Sequence, residues 1–156
     1  MTDRSSLASP LSRLFELAAR SLHSAGHSHG LFPAQWTTLR YLADAPASAR
    51  TSSALARFQQ MAIGPVTRTV RTLIAKRLVA KAGAGAHHRS ELLELTSQGR
   101  DLLALDPLAR LDDVFARLSV DEQEALAELF GRVVVALNSA DSAELDDGLL
   151  PPPTDR

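Results

Sequence analysis

The spacing of apolar side chains along the chain describes a succession of helices with one short change of period. Leu7, Leu11, Leu14, Phe15, Ala18 and Leu22 recur at helical intervals and predict a first helix over residues 5–24. Pro10 lies early in it, and the run H-S-A-G-H-S-H-G ends it with two glycines and two serines. A second helix is predicted over residues 33–45, opening on Pro33 and burying Trp36, Leu39, Leu42 and Ala43. A short third helix follows over residues 51–59, with Thr51 or Ser52 as N-cap and Leu55 and Phe58 facing inward. After a turn over residues 60–64 comes the stretch A-I-G-P-V-T-R-T-V-R-T-L-I-A-K-R-L-V. As a helix starting near Pro65, it places Val66, Val70, Leu73 and Ile74 on one stripe. Gly64 suits the N-cap and Pro65 the first helical position, where its missing N–H costs nothing. Arg68, Arg71 and Thr72 occupy the opposite side, with Ala75 between them.

Beyond this helix the period shortens. Residues 78–82 are compatible with a strand, residues 83–89 form a glycine-rich tip, and residues 90–96 read as the returning strand. Thr96 caps the next helix, and Pro107 kinks or breaks it. Ser119 and Glu122 stand at capping-box spacing, so a further helix starts there, with an apolar stripe of Leu126, Leu129, Phe130, Val133, Val134 and Leu137. This helix and the first are long and amphipathic. They can pack on each other or on a second copy. The predicted fold class is mainly α with a small β-hairpin wing (α+β). Two short helices, a tight turn and a helix with basic and hydroxyl residues outward form a helix-turn-helix.

Composition changes the picture mainly by exclusion. A chain of 156 residues suffices for one domain with a sizeable core. The absence of cysteine removes disulfides, thiolate metal sites and thiol oxidation switches together. No apolar run approaches a membrane span and the N-terminus lacks a signal peptide's apolar core, so the expectation is a cytoplasmic protein with no membrane partner. Net charge is only −1, but its distribution is uneven. Residues 45–90 contain no Asp or Glu and eight basic residues: Arg50, Arg57, Arg68, Arg71, Lys76, Arg77, Lys81 and Arg89. A basic middle set in an acidic body is the footprint of a nucleic-acid face.

Candidate chemistry follows from that distribution, with an ordinary amphipathic surface helix as the competing reading of residues 62–79. Arg68 and Arg71 are the base-edge candidates, because a guanidinium pairs bidentately with guanine. Thr67 and Thr72 suit phosphates or a thymine methyl. Arg50, Arg57, Lys76 and Lys81 suit phosphates, which position without specifying. Arg89, near the hairpin tip, is either a minor-groove contact beside the helix or an exposed loop arginine. His23, His27 and His29 are a possible metal set or solvated loop residues. They sit in a Gly/Ser loop without a nearby Cys, Asp or Glu, so no metal ligands are assigned. No Ser/His/Asp spacing or strand-to-helix phosphate loop stands out, and Gly83 and Gly85 lie in a hairpin. A non-enzyme without cofactor is expected. A winged-helix module that binds protein, or a metal-responsive regulator using the N-terminal histidines or His87, is the alternative.

At this point the layout resembles the MarR family of bacterial winged helix-turn-helix regulators. The matching stretches are L-F-P-A-Q-W-T-T-L-R-Y-L, S-A-L-A-R-F, P-V-T-R-T-V-R-T-L-I-A-K-R-L-V, H-H-R-S-E-L-L-E-L-T-S-Q-G-R and L-S-V-D-E-Q-E-A-L-A-E-L, in order over about residues 31–129. There are three departures. The family's wing Asp is replaced by His87, which puts wing rigidity in question. Ala62, Ile63 and Gly64 replace the usual Ser or Thr cap. Lys76-Arg77 stands where Lys-Gly is frequent, which implies a different exit from the helix. The resemblance implies a winged DNA-binding domain over residues 31–100 and a helical dimerisation region over residues 5–30 and 101–138; the acidic tail over residues 139–156, ending in L-L-P-P-P-T-D-R, is expected to be disordered from its composition. It implies a homodimer on double-stranded DNA with a pseudopalindromic operator. It also implies repression, and release by a small aromatic or lipophilic effector in a cleft near the dimer helices. Phe15 and Trp36 are the aromatic candidates for that cleft, or else core residues.

Overall fold

Burial of the predicted apolar stripes organises the chain. The computed structural model describes residues 7–84 and 91–147, with the side chains of residues 7–83 and 91–139. It divides into two compact units, Met1–Arg110 and Leu111–Arg156.

The first unit contains α1 (Ala8–Ala25), α2 (Pro33–Asp44), a 3-10 turn (Ala47–Ala49), α3 (Ser52–Phe58), α4 (Ile63–Ala75), β1 (Val79–Ala84), β2 (Glu91–Leu95) and α5 (Ser97–Leu103). Its core joins Trp36, Leu39 and Leu42 of α2 to Leu55 of α3, Val66, Val70 and Leu73 of α4, and Val79, Leu93 and Leu95 of the hairpin. Ile74 is half-buried against this cluster. Two residues expected inside are exposed. Ala43 lies on the outer side of α2, and Phe58 is 64% exposed. Phe58 ends α3 and leans its ring on Tyr41, 5.0 Å between centroids, so an aromatic neighbour replaces full burial.

Caps explain most helix boundaries. Thr51 Oγ1 accepts from the Ala54 N–H at 3.1 Å and starts α3. Thr96 Oγ1 accepts from the Gly99 N–H at 3.0 Å and starts α5. The Phe32 N–H donates to Gln35 Oε1 at 3.0 Å at the start of α2. α4 differs from expectation: its N-cap is Ala62, without a side-chain cap, and Gly64 and Pro65 lie inside the first turn. Pro65 is still tolerated there, because the first-turn N–H groups have no intrahelical acceptor.

The exit from α4 also corrects an expectation. Arg77 has φ +61°, the left-handed conformation that glycine normally supplies. The Leu78 N–H reaches Leu73 O at 3.0 Å and the Arg77 N–H reaches Ile74 O at 2.9 Å, a Schellman closure. The exit geometry is therefore kept without the glycine, at a conformational cost to an L-residue of about 1–2 kcal/mol.

β1 and β2 pair antiparallel from Val79–Leu95 to Ala84–Glu91, with a bulge between Lys81 and Gly83. Gly83 takes φ +128° at this bulge, a conformation L side chains rarely adopt. The Leu93 N–H also donates to Arg50 O at 2.7 Å, which ties the hairpin to the segment before α3. Arg40 and Asp106 form a partly buried bidentate pair, at 2.6 and 3.2 Å. Asp106 also accepts from the Leu108 N–H at 2.9 Å. Pro107 lies between α5 and α6 (Ala109–Phe115), the break expected there.

In the second unit, α7 (Val120–Asp147) starts at the expected capping box. The Ser119 N–H donates to Glu122 Oε2 at 2.8 Å, and the Glu122 N–H donates back to Ser119 Oγ at 3.3 Å. The helix passes the end expected at residue 138, so residues 139–147 of the anticipated disordered tail are helical. The segment S-A-D-S-A-E-L-D-D contains no Gly or Pro to stop it, and Gly148 comes directly after. Residues 148–156 lie outside the described chain. Among the described residues, no helix is long and apolar enough to cross a membrane.

Candidate nucleic-acid interface

Because Val66, Val70 and Leu73 are held in the core, the remaining sides of α4 are fixed toward solvent. Arg68 and Arg71 are exposed on that surface, and no hydrogen bond or ion pair holds either among the described residues. Their guanidiniums keep every donor available, in the fork geometry that fits guanine or phosphate. Thr67 is half-buried and Thr72 exposed. Their hydroxyls donate back within the helix, to Ile63 O at 2.9 Å and Arg68 O at 3.1 Å. Each therefore offers its methyl group and an accepting oxygen first; donating to a phosphate requires the internal bond to break.

The expected phosphate contacts are less uniform. Arg57 is exposed on α3 without a described partner. Arg50 is half-buried, and its Nε donates to Ala45 O at 2.9 Å, so part of its guanidinium is committed to the turn before α3. Lys76 Nζ donates to Gly30 O. Lys81 Nζ pairs with Glu91 at 2.8 Å across the root of the wing. Glu91 is the first acid after the basic stretch, and sequence distance concealed that it returns beside Lys81. Arg89, His87 and His88 lie outside the described residues.

One feature was missed from sequence. A groove of about 340 Å³ runs between the start of α3, the flank of α4 and the wing root. Ser52, Ser53, Ile63, Thr67, Arg71 and the paired Lys81 and Glu91 contribute to its lining. From sequence Ser52 is only a cap candidate, and Ser53 has no assigned role. Their position next to a basic helix was the available signal.

The aromatic candidates for an effector cleft are not brought together. Trp36 is 0% exposed in the core, and its ring meets the edge of His29 at 6.2 Å. Phe15 is 41% exposed on α1. A separate cavity of about 170 Å³ is lined by Leu22, His23, Pro33, Thr37, Arg40 and Leu108, with neither aromatic among its lining residues. The His23 and His27 Nε2 atoms stand 3.4 Å apart, but no group of three or more metal-binding side chains occurs among the described residues.

With this geometry in place, comparison with known proteins is informative. Residues 29–90 match the model of the MarR family. The PcaV transcriptional regulator from Streptomyces coelicolor, solved with its natural ligand, is similar over 88% of this chain and 98% of its own, with TM-score 0.62 and 24% identity. MepR from S. aureus in its DNA-binding conformation gives TM-score 0.70 at 19% identity, over 81% of this chain and 98% of its own. The S. aureus MepR–DNA complex gives 0.64 at 19% identity, over 80% and 96%. A search of curated proteins by sequence gave no match. At these identities the likenesses establish the winged-helix fold of MarR-type regulators.

Proposed function

Since residues 29–90 match the MarR-family model, we propose that this protein is a sequence-specific DNA-binding transcriptional regulator, acting as a homodimeric repressor that a small effector releases. The observation that carries the reading is the pair of unengaged arginines, Arg68 and Arg71, on the solvent side of α4 within a stretch of 46 residues free of acids. In this reading Arg68 and Arg71 meet base edges, and Thr67 and Thr72 lie against the phosphates or thymine methyls beside them. Arg57, Arg50, Lys76 and Lys81 follow the backbone, the last three after giving up internal bonds. Arg89 enters the adjoining minor groove.

The dimer reading is supported by α1. It buries none of its residues in the single chain, yet Leu7, Leu11, Leu14 and Leu17 form a strongly exposed apolar side. Val133, Val134 and Leu137 of α7 are exposed likewise. Apolar surface of this extent is normally covered by a partner. A two-fold dimer then places its half-sites about one helical turn apart, ~34–36 Å. The cavity beside His23 and Arg40, of about 170 Å³, is the effector site in this reading; Leu22, Pro33 and Leu108 give it an apolar side, and His23, Thr37 and Arg40 a polar one, for a small ligand.

The test is binding of the purified full chain to the DNA upstream of its own gene at two salt concentrations, with sizing of the free protein. A dimer protecting one palindromic site with steep salt dependence is the expected result. A monomer, or binding indifferent to sequence, overturns the proposal.

A further inference from the structure

Gly64 is a glycine that the fold does not require. It lies in the first turn of α4, outside the left-handed region that Gly30 and Gly83 occupy. A Cβ built on it meets nothing within 4 Å. Within a helix glycine is a poorer former than alanine, so neither backbone geometry nor packing accounts for it. Gly99 is the contrast: its added Cβ would fall 2.1 Å from a backbone oxygen. Gly64 stands one turn before Arg68, on the same exposed side of the helix. Its neighbour Ile63 is 49% exposed, a large apolar side chain with no core to enter. Ala62 and Pro65 are exposed as well. The leading turn of α4 is thus small and apolar, while the following two turns are basic.

The charge of the surroundings selects the partner. Arg68 follows this tip by one turn and Arg71 by two on the same helix, and residues 45–90 contain no acid to offset them. A polyanion is the complementary surface. In the DNA major groove the apolar group within reach of a side chain is the C5-methyl of thymine. We propose that Ile63 reads a thymine methyl in each half-site, and that Gly64 is the point of closest approach which lets the helix tip reach it. The proposal rests on the DNA-binding reading above and adds a base identity to it.

The test uses the full chain and duplexes enriched from random sequence. Each thymine of the selected site is replaced in turn by deoxyuridine, which removes only the methyl group. At one position per half-site the wild-type protein is expected to lose about fourfold in affinity, the worth of one buried methyl. Ile63→Ala is expected to bind the thymine site more weakly and to be indifferent to that replacement. Gly64→Ala is expected to melt no lower than wild type and to bind the site at least tenfold more weakly. Three results overturn the inference while leaving DNA recognition intact: a specific site insensitive to deoxyuridine everywhere, an Ile63→Ala variant as sensitive as wild type, or a Gly64→Ala variant that binds normally. If no sequence is enriched over random DNA, the regulator reading itself fails, and this inference with it.

Discussion

Gly99→Ala is the substitution whose outcome the structure constrains most tightly. Gly99 is buried in the first turn of α5, and an added Cβ would lie 2.1 Å from Leu78 O and 3.0 Å from Leu78 C. A carbon normally approaches a carbonyl oxygen no closer than ~3.3 Å, so the two segments must separate by about 1 Å. Neither side has a rotamer to turn, because both are backbone. Thr96 also holds them together. Its Oγ1 donates to Arg77 O at 2.7 Å while accepting from the Gly99 N–H at 3.0 Å. Its N–H donates to Leu78 O at 3.1 Å. Overpacking costs roughly 1–3 kcal/mol, and this rigid contact belongs at the upper end. Alanine's better helix propensity returns roughly 0.5–1 kcal/mol. The net expectation is a loss of about 2 kcal/mol, a fall in Tm of roughly 4–8 °C at this chain length. Thermal unfolding followed by circular dichroism, at one fixed protein concentration, measures it. A melting temperature equal to or above wild type would refute the close contact between α5 and the strand root.

Arg77→Gly should raise stability by about 0.5–1 kcal/mol, since glycine removes the left-handed strain at φ +61°; an unchanged or lower Tm would argue against that strain. Glu91→Gln releases Lys81 from its ion pair. Operator binding should become tighter, and the slope of log affinity against log salt steeper by about 0.9 per subunit. Arg68→Ala should cost roughly 1–3 kcal/mol on the selected operator and little on random DNA; equal losses on both would reassign Arg68 to phosphate. The Ser119 backbone N–H, and then its hydroxyl, hold the Glu122 carboxyl below the ordinary glutamate range. A depressed carboxylate stabilises the start of α7 above the unfolded pKa, about 4.3, and that contribution disappears as pH falls through the lower folded value. An acid titration of the helical signal should therefore differ between wild type and Glu122→Gln, and identical profiles would show that the capping pair contributes nothing.

Much of the fold was legible because burial imposes a period on the sequence. The stripe Val66, Val70, Leu73 predicted the inner face of α4, and hence which arginines lie outside it. Thr51, Thr96 and the Ser119–Glu122 box predicted three helix starts, because their oxygens answer orphan N–H groups a few residues away. Where several side chains compete for one space, local pattern misled. Phe58 has the spacing of a core residue and lies outside on Tyr41, and Ala43 fits the α2 stripe and is exposed. The candidate site was legible in its arginines and less so in its charge balance. Lys81 appeared unopposed because Glu91 is ten residues away along the chain but across the hairpin from it in space.

Sequence alone therefore determined what local physics decides: the helices and most of their inward faces, the Thr51, Thr96 and Ser119 caps, the hairpin, and the concentration of positive charge between residues 45 and 90. These depend on periodicity and on neighbours within one turn or one hairpin. Tertiary structure decided which cations stay available: Arg50, Lys76 and Lys81 all find internal partners, and that of Lys76, Gly30, is far away along the chain. It also separated two glycines that look alike in the chain. Gly99 must be glycine because a backbone oxygen fills the space its Cβ would need, whereas Gly64 faces open solvent. That difference is set by the approach of segments distant in sequence, and only folding brings them together.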